Sequence, residues 1–556
     1  MGGKNKGLLF LIILFIGVLG ISKTNAQIRE QAFTDVTEEA GISFRYNFGD
    51  YTYENILESS GSGITILDYN GDGLMDLYML NGTYLKGISD AEGIVFEDTP
   101  DNLYRNNGDG TFTEVAKEAG VDDHHWSMAA GALDYDGDGD TDIYLLNYGP
   151  NIFYRNNGDG TFTDITEKTG LRGPETLNDY LKWSVSVAFW DYNMDSRVDM
   201  MVGNFLAFDP DYISPTTPDL MPHPSEYKGQ ASMMYRQKAD GTFEEVTEKL
   251  KMYYPDSKCM GLTVYDYDDD GDLDLFQGND HQLNFLFRND GQEIFSEVAV
   301  AAGVAANDEG LPTGSMHGSI GDIDNDGLID LLVTDLRWGA LYKNLGSGVF
   351  DDVARSSGVA YYFNGKGQWG AVMFDYDNDG DIDIFTANGT AEELILQKPL
   401  LLENDGRGNF KDAGPQLHPY FKDERSGRAV AVWDYDNDGD LDIIVSHIDL
   451  KATPILLRND IGNSNNWLGI SLKGNNGPAS AIGAKITLYS QNKRQVKIYQ
   501  WATTYLSYHD PRVLFGIGKE NKVDKLEVRW PDGRIERYEN LDINQYISIT
   551  QGEGIN

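Results

Sequence analysis
The sequence predicts an all-β chain, a seven-bladed β-propeller followed by a small C-terminal β domain, and three observations carry that prediction. A nine-residue pattern rich in Asp and Gly recurs seven times, a hairpin-like pattern follows six of those copies, and both stop near residue 460, where the charge changes sign. Four-stranded units of roughly 40 to 60 residues, repeated about four to eight times, are the sequence mark of a propeller.

The nine-residue pattern is Asp-x-Asp/Asn-x-Asp-Gly-x-x-Asp, and short runs of small and apolar residues flank it, such as Ala129-Ala130-Gly131-Ala132-Leu133 before and Ile143-Tyr144-Leu145-Leu146 after. Runs of that length bounded by Asn and Gly read as strands. The second pattern is Leu103-Tyr104-Arg105-Asn106-Asn107-Gly108-Asp109-Gly110-Thr111-Phe112, with copies at 153–162, 234–243, 285–295, 341–350 and 401–410. Asn-Gly and Asp-Gly tolerate the positive φ of tight turns, so each copy reads as a hairpin and each unit as four strands. The last unit has a third strand at Leu456-Leu457-Arg458-Asn459-Asp460 but no fourth, whereas Phe33-Thr34-Asp35-Val36-Thr37 stands before the first loop without partners. The N-terminal strand is therefore expected to complete the seventh blade. An open solenoid would keep two exposed edges and capping repeats.

The 556 residues include 89 acidic, 44 basic and one cysteine, for a net charge of −45. Nucleic-acid affinity comes largely from Lys and Arg neutralising phosphates, so the charge argues against a nucleic-acid partner and against anionic membrane surfaces. A lone Cys259 excludes a disulfide framework and any Cys-rich metal site. Lys4 and Lys6 precede an apolar run from Gly7 to Ser22, and Thr24-Asn25-Ala26 places small residues before a cut ahead of Gln27. Residues 1–26 are thus expected to be a signal peptide, because the run is shorter than the roughly 20 residues that span a bilayer. No later stretch is apolar enough to cross a membrane, so the mature chain is expected to be exported: periplasmic, cell-surface or extracellular.

Positions one, three, five and nine of each loop present hard oxygens around a turn that the Gly at six permits. The candidate metal ligands are Asp68, Asn70, Asp72 and Asp76; Asp134, Asp136, Asp138 and Asp142; Asp191, Asn193, Asp195 and Asp199; Asp266, Asp268, Asp270 and Asp274; Asp322, Asp324, Asp326 and Asp330; Asp375, Asp377, Asp379 and Asp383; and Asp434, Asp436, Asp438 and Asp442. Oxygen-only ligand sets suit calcium, and magnesium would demand a tighter octahedron. The loop shares six positions with an EF-hand but closes with Asp at nine between strands, so an EF-hand is rejected. Good turn chemistry alone does not require Asp at one and nine in every copy, and a cluster of bare carboxylates repels itself. The third copy replaces Gly with Ser196 and adds Arg197; weak or absent metal is expected there.

These loops and hairpins resemble the FG-GAP and VCBS-type repeats of bacterial exported proteins, related to the calcium-binding propeller of integrin α chains, over residues 27–462. Literal Phe-Gly and Gly-Ala-Pro cores are missing, so the integrin resemblance is of loop and fold only. Residues 463–556 carry 12 Lys/Arg and 9 Asp/Glu, and strand-like runs occur at 467–472, 484–489, 495–499, 526–530 and 546–549. Asn466-Trp467-Leu468, Ile482-Gly483-Ala484-Lys485, Tyr505-Leu506-Ser507, Asp510-Pro511-Arg512, Phe515-Gly516-Ile517-Gly518 and Val528-Arg529-Trp530-Pro531-Asp532-Gly533 make this part similar to the ASPIC/UnbV domain. The combination resembles the cartilage acidic protein family, which implies calcium binding and extracellular interaction and supplies no catalytic residue to carry over.

His509-Asp510, His124-His125 and Cys259 are the groups most able to do chemistry, and each reads better as structure. No nucleophile-elbow, P-loop or His-Glu-x-x-His pattern is present. If the Asp loops and the Asn-Gly-Asp-Gly turns share one face, the long connections at 81–102 and 207–232 share the other. The second carries Phe208, Tyr212, Met221, His223 and Tyr227, and binding residues concentrate on loops held by a rigid scaffold. Three functions stay open: a non-enzymatic adhesion or ligand-binding module for protein or carbohydrate on that opposite face, a calcium-dependent polysaccharide lyase or hydrolase, and an envelope assembly factor.

Overall fold
The computed structural model describes residues 32–48, 53–89, 99–218, 220–291, 293–391, 394–449, 452–475, 477–491, 493–501 and 503–555. The expected signal peptide and residues 90–98 of the first long connection lie outside them. Seven sheets with four antiparallel core strands each follow one another along the chain, the first and the fourth extended by short extra strands. The first consists of Ile64–Leu67, Asp76–Met79, Asn102–Asn106 and Phe112–Glu114, and the second of Ser127–Leu133, Asp142–Asn147, Ile152–Asn156 and Phe162–Asp164. Sheets three to six begin at Ser184–Trp190, Cys259–Tyr265, Gly318–Gly321 and Gln368–Phe374. The seventh joins Gly427–Trp433, Asp442–His447 and Ile455–Asn459 to Phe33–Asp35, with Phe33 opposite Asn459 and Asp35 opposite Leu457.

The first strands of successive sheets touch in cyclic order, and the seventh touches the first. These strands crowd the axis, which explains their small residues: a Cβ on Gly131 would lie 2.4 Å from the Phe189 ring. A belt of side chains closes the same ring further out. The residue ending each third strand donates to a carbonyl in the Asp loop of the preceding sheet: Asn106 to Tyr435, Asn156 to Tyr69, Gln237 to Tyr135, Asn289 to Tyr192, Asn344 to Tyr267, Asn404 to Ile323 and Asn459 to Tyr376, at 2.6–3.0 Å. The Asn or Gln two residues before the turn glycine, or at the same strand end in sheets three and seven, is thus a tie between adjacent sheets.

Beyond Asp460 come two further four-stranded sheets. One pairs Val513–Gly518, Asn466–Lys473, Tyr546–Thr550 and Gly554–Ile555; the other pairs Lys493–Tyr499, Ala484–Ser490, Val523–Arg529 and Ile535–Leu541. Between them, Thr503–Thr504 and Ser507–Tyr508 form a tiny hairpin that leaves this layer and enters the ring. Ser507 and Tyr508 pair in parallel with Ile64 and Thr65. The hairpin meets the first strands of sheets one, two, four, five, six and seven, and the Tyr508 hydroxyl donates to the Val187 carbonyl of sheet three at 2.7 Å. Tyr505 is fully buried with its ring 4.9 Å from that of Trp369, and Gly63 lets the Leu506 carbonyl approach. The axis is therefore filled by a plug of aromatic and aliphatic side chains, each such burial contributing about 1.5–3 kcal/mol.

Candidate metal centres
Each Asp loop joins the first and second strands of its sheet, and the αL conformation at positions four and six folds it back on itself. Asn437 (φ 57°) and Gly439 (φ 97°) take that conformation in the seventh loop. The third loop takes it too, with Met194 (φ 59°) and Ser196 (φ 72°) in a region that side chains disfavour.

Two carboxylates hold the fold of the loop. Position one accepts backbone N–H groups from positions five and six, as Asp434 does from Asp438 at 2.9 Å and Gly439 at 2.9 Å. Position nine is the most buried and ties the loop to the third strand: Asp442 accepts from Asn459 N–H at 2.7 Å and Tyr435 N–H at 3.1 Å. The remaining oxygens converge. In five loops one oxygen each from positions one, three and nine lies within 4.8 Å of the others: Asp134, Asp136, Asp142; Asp266, Asp268, Asp274; Asp322, Asp324, Asp330; Asp375, Asp377, Asp383; Asp434, Asp436, Asp442.

In the other two loops Asn70 and Asn193 hold position three, each donating its amide N–H to the position-five carboxylate, Asp72 and Asp195, at 2.9 and 3.0 Å. Asp68 and Asp76, and Asp191 and Asp199, are the carboxylates at positions one and nine there. The position-five groups Asp72, Asp138, Asp195, Asp270, Asp326, Asp379 and Asp438 stand outside the five triads. Several of them cap the N–H two residues on, as Asp72 does for Leu74 at 2.8 Å.

Burial pushes Asp76, Asp142 and Asp330 up to about 8 and holds Asp199, Asp274, Asp383 and Asp442 well above the usual carboxylate range. Asp199 Oδ2, Asp268 Oδ1 and Asp324 Oδ1 are buried with no hydrogen-bond partner. Buried oxygens of this kind, without a donor and beside other carboxylates, fit a hard divalent cation that would offset their desolvation. Asp, Asn and carbonyl oxygens form a donor set suited to calcium.

In sheets two and five a basic side chain on the third strand stands beside positions three and five. Arg155 donates to Asp136 at 2.8 Å and Asp138 at 2.7 Å, and Lys343 pairs with Asp324 and Asp326. Burial raises Asp268 above the usual carboxylate range and Asp436 to about 6, shifts that Arg288 and Arg458 only partly offset. The C-terminal sheets lie over several loops and bring their own cations. Lys485 and Arg529 pair with Asp269 at 3.0 Å each, Arg512 donates to Asn437 at 2.6 Å, and the Tyr546 hydroxyl donates to Asp434 at 2.6 Å.

Away from the loops, His509 and Cys259 are inside, whereas His124 and His125 are exposed. His509 is buried, accepts from Val432 N–H at 3.2 Å, and burial pushes its imidazole down to about 4. Asp510 is held by Arg512. Cys259 is fully buried, its thiol pushed up to about 12. His125 hydrogen-bonds to Asp123 at 2.8 Å. In the second long connection Phe208 and Tyr227 are buried and pack together, ring centroids 5.9 Å apart, so two aromatics that the sequence nominates for recognition are core. Ile213 and Leu220 are the exposed apolar residues of that segment.

Residues 87–145, 134–202, 266–333 and 322–386 match the FG-GAP-like repeat family, and residues 474–556 match ASPIC and UnbV. The chain carries FG-GAP-like repeats and an ASPIC and UnbV domain. It is 31% identical to cartilage acidic protein 1 of Xenopus tropicalis over 279 residues, 47% of this chain and 40% of that protein. The human protein of the same name is 29% identical over 277 residues, 47% of this chain and 39% of its own length. The chain thus covers less than half of these curated relatives. Among solved structures, an Agrocybe aegerita lectin described as recognising non-reducing terminal N-acetylglucosamine aligns over 72% of this chain and 83% of its own, with 16% identity and a TM-score of 0.28. BBS1N in complex with ARL6DN aligns over 78% and 98%, with 8% identity and a TM-score of 0.42. The FG-GAP-like matches fall on sheets one to six and include the loops at 134, 191, 266, 322 and 375.

Proposed function
We propose that this chain is an exported, calcium-binding, seven-bladed β-propeller that recognises a protein or carbohydrate ligand without catalysing a reaction. The convergence of position one, three and nine carboxylates within 4.8 Å in five loops carries the calcium reading. Similarity to cartilage acidic protein 1 supports an extracellular site of action, and no helix among the described residues is long and apolar enough to cross a membrane. Since the C-terminal domain lies over the Asp loops, the ligand is assigned to the opposite face, where the connection at 207–232 offers Ile213 and Leu220 to solvent. Calcium is structural in this reading: it neutralises the loops on which the plug-bearing domain rests.

Binding to the folded state alone stabilises by RT ln(1 + [Ca]/Kd) per site. Chelation of the purified protein should therefore lower its melting temperature, calcium should restore it, and elemental analysis should find several calcium ions per chain. An unchanged melting curve with no bound metal sinks the calcium reading. Turnover of a member of a glycan panel, abolished by substitutions on the face opposite the loops, would overturn the non-enzymatic one.

A further inference from the structure
One first strand of the ring is incompletely covered. In the other six sheets the first strand is buried along its whole length, whereas in sheet five only Gly318 of Gly318–Gly321 is, and Ser319, Ile320 and Gly321 are half-buried. The sequence Gly-Ser-Ile-Gly explains the gap, because two of its four positions bring no side chain to fill the space. The C-terminal domain bridges this place without filling it. A cavity of about 140 Å³ remains, walled by the ring on one side and by residues of the segments 496–500 and 509–514 on the other.

Most of the wall is apolar: Ile320, Val372, Phe374 and Ile382 from the ring, Ile498 and Val513 from the C-terminal domain. The charged groups in it are already engaged. Arg512 holds Asp510 at 2.6 Å, and the Lys497 ammonium donates to the Leu514 carbonyl at 2.5 Å while the charges of Asp375 and Asp383 act on it. Two neutral groups are not engaged. Val432 N–H donates to His509 Nδ1, and burial keeps the imidazole neutral, so its proton sits on Nε2. That N–H belongs to a side chain only 7% exposed and has no hydrogen-bond partner among the described residues. The half-buried Gln500 amide, in the same wall, has none among them either. An unmade hydrogen bond at a buried donor is costly, and apolar walls with a few unpaired polar groups are the usual make-up of a small-molecule site.

We propose that this cavity binds a small neutral molecule with a body about the size of a benzene ring and an oxygen that accepts from His509 Nε2–H. The size follows from the volume, since an apolar cavity of about 150 Å³ holds benzene. Neutrality follows from the wall, where an anion would find both cations taken and would stay buried without a partner. The Gln500 amide suits a hydroxyl or amide on the same ligand. The site is separate from the ligand face assigned above, because it lies on the side of the Asp loops, and its occupant touches the ring and the C-terminal domain at once.

Ligand-observed NMR titration and thermal unfolding of the calcium-loaded full chain with phenol, toluene and benzoate test this. Phenol should bind saturably and raise the melting temperature, and benzoate should bind more weakly than phenol. His509→Phe should weaken phenol about fivefold, the net factor of one hydrogen bond, and leave toluene bound at least as tightly as before. Ile320→Trp should fill the cavity and abolish binding of both; if that variant fails to fold, the contrast between phenol and toluene in His509→Phe still decides. Absence of saturable phenol binding, benzoate binding as tight as phenol, or phenol affinity unchanged in His509→Phe overturns the proposal.

Discussion

Replacing Asn106 by alanine removes the side chain that ties the first sheet to the seventh. Its amide donates to the Tyr435 carbonyl at 2.8 Å and the Met75 carbonyl at 3.2 Å, and its oxygen accepts from Gly108 N–H at 2.9 Å. Asn106 is buried, so water does not take over these bonds. At a net contribution of about 1 kcal/mol for each of three bonds, the loss is about 3 kcal/mol. A ring of roughly 430 residues unfolds with an entropy of about 2.1 cal/mol/K per residue, or about 0.9 kcal/mol/K, so the melting temperature should fall by about 3 °C. The neighbouring Asn107 is the control. It is exposed, its amide bond to Thr111 at 3.0 Å faces solvent, and its alanine variant should shift melting by less than about 1 °C. The assay is thermal unfolding of both variants and the wild type side by side in calcium. Equal shifts in the two variants would refute the claim that the Asn belt, and not turn geometry alone, holds adjacent sheets together.

Other expectations follow from the buried groups. Burial holds His509 at about 4, below its unfolded value near 6.5, so the unfolded chain takes up the proton first as pH falls. Its contribution is complete above about 6.5 and is lost towards about 4, and His509→Gln should flatten the melting temperature against pH in that window; parallel curves contradict it. Cys259 is fully buried with its thiol pushed up to about 12, so a thiol reagent should label it only after unfolding, and stoichiometric labelling of the native protein would count against its placement. Tyr505→Ala empties the place beside Trp369 and should cost about 3–5 kcal/mol with a changed tryptophan emission; wild-type stability in that variant would show that the plug adds nothing.

Much of the fold is legible in the sequence because its determinants are local. The strand runs, the Asp loops and the Asn-Gly turns repeat, and the arithmetic of strands at the two ends points Phe33–Asp35 to the seventh sheet. The plug is not legible. Tyr505-Leu506-Ser507 has the length and composition of an ordinary turn, and only the space left by the small residues of seven first strands explains where it goes. The strand Ile535–Leu541 is missed because it is a polar edge, with no buried residue and so no alternation to read. At the metal loops the ligand positions are visible from spacing, yet spacing weights all four equally. Convergence of the side-chain oxygens separates positions one, three and nine from position five, and burial reveals Phe208 and Tyr227 as core where an aromatic-rich connection reads as a recognition surface.

The seventh sheet takes three strands from residues 427–459 and its fourth from residues 33–35. During synthesis the strand at 33–35 therefore waits for the last strand of the ring, and the hairpin that fills the axis arrives later still. A chain interrupted anywhere before residue 459 would keep an unpaired edge on its last sheet and leave the strand at 33–35 without a partner. Closure is therefore all-or-none with respect to chain length: only a chain extended past residue 459 can pair the strand at 33–35.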